Sequence, residues 1–184
     1  MKRMARSWTA AAVVIGLFAF VGAGRAADRP GLFLVADDAS LFSADAKKQA
    51  EKKLAGTKFD HGLNFNLSTY KEMPAEWKKK YDGAADKGPV MREWAKTVAT
   101  KDKAKGPFVL ICMSPGYTVV LADEETVNRG FGKTTEAAVQ KIFDTALREA
   151  AKKDGDERIK HRDAALLKAT DYIVSELKGT KIRP

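Results

Sequence analysis

In GLNFNLSTY, Leu63, Phe65, Leu67 and Thr69 take one face, mostly apolar, and alternate with polar Asn64, Asn66 and Ser68 on the other. A period of two is that of a half-buried β-strand. The spacing changes on either side. After Ser43, Ala46, Ala50 and Leu54 recur every fourth residue, lysines take the other face and Gly56 follows, which predicts an N-capped helix of about 13 residues. Between Pro74 and Lys103 the pattern is helical but interrupted by Gly83, Gly88 and Pro89, with Trp77, Tyr81, Val90, Trp94 and Val98 as apolar anchors. GPFVLICMSPGYTVVLAD then joins two apolar runs through Ser114-Pro115-Gly116, a β-hairpin whose strands are apolar enough to be covered on both faces. From Thr134 or Thr135, Val139, Ile142, Phe143, Ala146, Leu147 and Ala150 form one helical stripe. A last helix is expected from about Glu157 to Leu177.

The order is helix, strand, broken helix, hairpin, helix, helix. Amphipathic helices must bury their stripes, and a sheet apolar on both faces gives them two surfaces to cover. The expected fold is a three-layer α/β/α domain with a small central sheet of about four strands.

The ends of the chain read differently. Lys2, Arg3 and Arg6 precede an apolar run, and Gly24-Arg25-Ala26 offers small residues for cleavage, so residues 1–26 are expected to be a secretory signal peptide. The run from Ala10 to Ala23 is only 14 residues, against the roughly 20 that a spanning helix needs. The expected division is 1–26 signal, 27–33 lead, 34–178 domain and 179–184 tail. The protein is then periplasmic or extracellular, with no stable membrane span after cleavage.

Charge changes the picture little. The formal net charge of +9 includes Lys2, Arg3, Arg6 and Arg25, so cleavage takes it to +5. The remaining lysines cluster on helix faces, which are usually solvated. No nucleic-acid partner is expected, because arginines interleaved with aromatics on one surface are missing from the pattern. An anionic lipid or wall polymer is a possible weak ligand. Cys112 is the single cysteine, within PFVLICM, so packing rather than a disulfide must supply stability. Its apolar setting reads as a buried thiol, and neither His61 nor His161 carries a local signature for a catalytic partner.

The pieces resemble the TPM domain family, found in bacterial envelope proteins and in a thylakoid-lumen protein linked to photosystem II repair. The resemblance spans about residues 34–178. VADDASLFS, through Val35, Asp37, Ala39, Phe42 and Ser43, is similar to the family's opening motif. Arg92-Glu93-Trp94 leading to Gly106 and the hairpin is similar to its Arg-x-Trp landmark, and ADEETVNRGFGKTTEAA to its Gly-containing acidic loop. The resemblance implies an α/β domain working beside envelope proteins or membrane-protein complexes. It also implies a divalent cation, Ca²⁺ in particular, at the acidic edge, and an acid-phosphatase-like activity as an alternative.

The residues themselves offer a candidate for that edge. Asp37 and Asp38 lie before the first helix, and Asp123, Glu124 and Glu125 follow the hairpin. If both loops reach one rim, the five carboxylates form an electronegative notch suited to a hard cation. Aspartates before a helix also fix turns, and acidic residues complement a helix N-terminus, so a purely structural role stands beside the metal site. A phosphatase would need positive groups for phosphoryl oxygens, and Arg129, Lys133 and the Gly130-Phe131-Gly132 loop are the candidates. His161 and Asp163, two apart on a helix, do not share a face; a solvent-facing histidine is expected.

Overall fold

The computed structural model describes residues 29–59 and 62–178. The expected signal peptide, His61 and the tail from residue 179 lie outside the described residues. No described helix is long and apolar enough to cross a membrane.

Four strands form the central sheet: β2 (Leu32–Asp37), β4 (Asn64–Glu72), β5 (Phe108–Ser114) and β6 (Tyr117–Leu121). Their spatial order is β2-β4-β5-β6, and a two-residue ladder pairs β1 (Arg29–Pro30) with β3 (Lys58–Phe59). The first three strands are parallel, and β6 returns antiparallel through the hairpin. Helix α1 (Ala44–Ala55) connects β2 to β4, and α2 (Ala75–Gly83) with α3 (Lys87–Lys101) connects β4 to β5. After β6 come a short α4 (Glu124–Asn128), α5 (Lys133–Ala150) and α6 (Gly155–Leu177).

The expected three layers are present. Phe65, Leu67, Val109, Ile111 and Val120 face α1, α5 and α6, joining Leu54, Phe143 and Leu166 in the larger core. Phe108, Leu110, Cys112 and Val119 face the other way, against Trp77, Met91, Trp94 and Val98 of α2 and α3. Interleaving large side chains from both layers is what excludes water from each face of the sheet.

Two expectations need correction. The segment carrying Asp37 into the first helix is more than a loop: Leu32–Asp37 is an edge strand that supplies the fourth member of the sheet. Strand β4 is also central rather than half-exposed, so the polar side of its alternation is buried. Asn66 is 6% exposed there; its Nδ2 donates to Lys105 O at 2.6 Å and Pro107 O at 3.2 Å, stitching the β5 approach onto β4. Burying an amide at this place is tolerable because its donors are taken up.

Candidate functional site

Asp37 ends β2, and its side chain is only 4% exposed. Oδ1 accepts from the Leu41 N–H at 2.8 Å and from the Thr69 hydroxyl at 2.8 Å. Oδ2 accepts from the Phe42 N–H at 3.3 Å and from Lys47 Nζ at 3.0 Å. These bonds fold residues 38–42 back over the ends of β2 and β4 and aim the chain into α1. Burial opposes ionisation of Asp37, but its bonds to Leu41, Thr69, Lys47 and Phe42 outweigh it and hold the carboxyl below its ordinary range. The next turn is fixed by capping: Ser43 Oγ accepts from Ala46 N–H, and the Ser43 N–H donates to Asp163 Oδ1 of α6 at 2.9 Å. Asp163 thus docks α6 onto the start of α1, a role its sequence position beside exposed His161 did not suggest.

Asp123 does a similar job elsewhere. It is the N-cap of α4, with Oδ1 accepting from Thr126 N–H at 2.8 Å and Oδ2 from Gly106 N–H at 2.8 Å. Burial again works against the charge, and the bonds from Thr126 and Gly106, with Arg129 nearby, bring the carboxyl below its usual value. Gly106 has φ +86, and a Cβ built on it would lie 2.1 Å from Asn64 O. Only glycine lets this loop pass so close to β4 with a left-handed backbone. Glu125 pairs with Arg129, whose Nη1 also donates to Gly62 O at 3.2 Å. Arg129 Nε is buried without a hydrogen-bond partner among the described residues.

The two acidic groups do not meet. In the sheet register Asp37 lies opposite Thr69, which lies opposite Ile111. Leu121 lies opposite Phe108 and so at the level of Asn66, and Asp123 reaches two residues further, to Gly106. At about 3.3 Å per strand residue, with strands about 4.8 Å apart, the carboxylates are roughly 20 Å apart. Asp37 and Asp38 sit at the end where the parallel strands finish, Asp123, Glu124 and Glu125 at the end where they begin. The expected five-carboxylate notch is therefore split, and Asp37 and the half-buried Asp123 each already accept backbone N–H bonds. Among the described residues no group of three or more His, Cys, Asp or Glu side chains is placed to hold a metal ion.

The GFG segment is also built for the fold. Phe131 is fully buried in the larger core, Gly130 takes φ +107, and Arg129 is held in the wall rather than presented to solvent. Cys112 is buried, and burial pushes its thiol up despite a contact to Ser114 O at 3.1 Å. A thiol kept protonated in this way is a weak nucleophile.

What sequence reading missed is a pair of hollows flanking the Gly106–Asp123 contact. One, of about 350 Å³, is bounded by Leu63, Asn64, Lys105, Asp123 and Arg129. The other, of about 340 Å³, lies under Arg92, Lys96, Lys103 and Leu121. Their walls carry five cationic side chains (Arg92, Lys96, Lys103, Lys105, Arg129) against two carboxylates (Asp123, Glu125). Arg92 is paired with Glu136 of α5 at 2.8 Å and Arg129 with Glu125. Lys96, Lys103 and Lys105 are exposed and make no ion pair among the described residues. Lys103 follows the end of α3 with φ +50, a position glycine occupies at lower cost.

Comparison with known proteins adds no constraint: no family model, no curated protein and no solved structure matches this chain.

Proposed function

We propose that this chain is an exported TPM-type binding domain that docks an acidic segment of an envelope protein across the twin hollows at Gly106–Asp123. The observation that carries the reading is a set of three exposed lysines, without an ion pair among the described residues, on the walls of two hollows whose half-buried Asp123 is satisfied by two N–H groups. Lys96 lies in the second half of α3 and Lys103 two residues past its end, a separation of roughly 10 Å, most of it at helical rise. That spread suits a string of negative charges better than a single phosphate. A left-handed lysine at position 103 supports the same reading, since the fold alone would favour glycine there. The export part of the proposal rests on the basic and apolar pattern of residues 1–26.

Fluorescence anisotropy with a labelled hexaglutamate peptide tests it. Binding is expected to weaken as salt rises, because such rim charges are screened within about 8 Å at physiological ionic strength. It is also expected to fall at least tenfold in the Lys96→Glu, Lys103→Glu, Lys105→Glu triple variant, while Lys78→Glu, Lys79→Glu and Lys152→Glu together leave it unchanged. Binding that ignores salt, or that falls equally in both triples, removes the proposal. The competing phosphomonoesterase reading makes a different demand: turnover of a generic phosphomonoester that disappears in Asp123→Asn while the fold persists.

A further inference from the structure

We propose that two copies of this chain pair through the free edge of β2, antiparallel and about a two-fold axis at Leu34, to form one continuous eight-stranded sheet. Among the described residues strand β2 pairs only with β4, and its other side is an open edge. Natural edges are usually blunted by lysine, proline, a bulge or a covering helix. Leu32-Phe33-Leu34-Val35-Ala36 has none of these: no charge, no proline, and Leu32 at 53%, Leu34 at 47% and Val35 at 39% exposed. Helix α3 packs on β5 and β6 and reaches β4 through Trp94 on Tyr70, and among the described residues no helix covers the exposed Leu32, Leu34 and Ala36.

Backbone geometry makes the edge complementary to itself. Leu32 N–H donates to Leu63 O at 2.7 Å, so by alternation in a parallel ladder Leu32, Leu34 and Ala36 turn their N–H and C=O toward β4. Phe33 and Val35 turn theirs outward. In an antiparallel pair centred on Leu34, Phe33 of each copy falls opposite Val35 of the other, and the outward groups make four hydrogen bonds. Leu34 meets Leu34 of the second copy in a non-hydrogen-bonded position, where side chains come closest. Leu32 meets Ala36. The same register places Asp38 opposite Pro30 of the other copy. A second copy is therefore favoured over a different partner: the surface supplies its own donors, acceptors and apolar contacts in matched positions. Six residues per copy bury less than the 1,200 Å² or so of a standard stable interface, so the pairing is expected to be reversible and visible at tens of micromolar.

Sedimentation equilibrium of the intact purified chain between about 5 and 200 µM is the first measurement, with a mass doubling across the range expected. Leu34→Lys sets two charges against each other on the axis, and Val35→Pro deletes two of the four new bonds without touching the β4 ladder; each is expected to give a monomer with unchanged circular dichroism. Leu34→Cys supplies a check independent of stability, because a non-hydrogen-bonded antiparallel pair suits disulfide geometry. It is expected to cross-link to a covalent dimer on mild oxidation, and Leu32→Cys far less. A chain that stays monomeric at 200 µM, a dimer indifferent to both edge variants, or cross-linking no better at 34 than at 32 overturns the pairing. A monomer in which residues N-terminal to β1 protect position 34 from thiol reagents overturns it too, in favour of an internal cover.

Discussion

Replacing Asp37 with alanine, beside the same change at Asp38, separates a carboxylate that builds the fold from one that does not. Asp37 accepts two 2.8 Å bonds, from Leu41 N–H and Thr69 Oγ1, and a longer one from Phe42 N–H. Leu41 and Phe42 are both buried, so alanine leaves their N–H groups without an acceptor. A hydrogen bond to an ionised group contributes about 1.5–3 kcal/mol, and a stranded buried donor costs about 1–3. These overlap, because the same bonds are counted in both ranges. A loss of about 3–5 kcal/mol is the expected total, with the half-exposed Lys47 contact left out of it. Asp38 is exposed and has no hydrogen bond among the described residues, so its alanine variant is expected within about 0.5 kcal/mol of the parent. Urea unfolding followed by fluorescence of buried Trp77 and Trp94 measures both. Equal stabilities for the two variants would refute the assignment of Asp37 as the clamp of the β2–α1 turn.

Gly106→Ala is expected to cost at least about 3 kcal/mol or to prevent folding, since a Cβ there meets Asn64 O at 2.1 Å with a left-handed backbone; thermal melting checks it. Stability is expected to be flat above about pH 5 and to fall in acid. Asp37 and Asp123 are both held below the ordinary value, so the unfolded chain binds the extra protons and the stabilisation disappears as pH drops through the folded values. Asp37→Asn is expected to shallow that acid slope in urea midpoints taken from pH 3 to 7. Lys103→Gly is expected to raise stability by about 0.5–1 kcal/mol, by relieving φ +50, and at the same time to weaken hexaglutamate binding. Gain of stability with undiminished binding would count against a docking role for Lys103.

The helices and the hairpin were legible because their periodicities extend over many residues and their ends are marked, as Ser43 and Gly56 mark α1. Strand β2 was not. Its short apolar run abuts two aspartates, and on an edge neither face alternates cleanly: Leu32, Leu34 and Val35 are all exposed. That one omission misplaced the candidate site. Helical crossovers return the chain to start β4 and β5 at the end where β2 starts, and the hairpin then reverses β6. The segment after the hairpin therefore emerges at the end opposite Asp37, a consequence that follows once residues 32–37 count as a strand. The lysines of the two hollows gave no signal because Lys96, Lys103 and Lys105, within ten residues of one another, read as a solvated helix face and its end, and the hollows beside them form only when Gly106 N–H meets Asp123.

Pulsed dipolar spectroscopy between spin labels at Asp38→Cys and Glu124→Cys tests this placement directly. Labels at opposite ends of the sheet are expected to give a distance distribution centred at about 20 Å or beyond. A peak within about 10 Å would bring the two acidic segments to one rim and contradict the account.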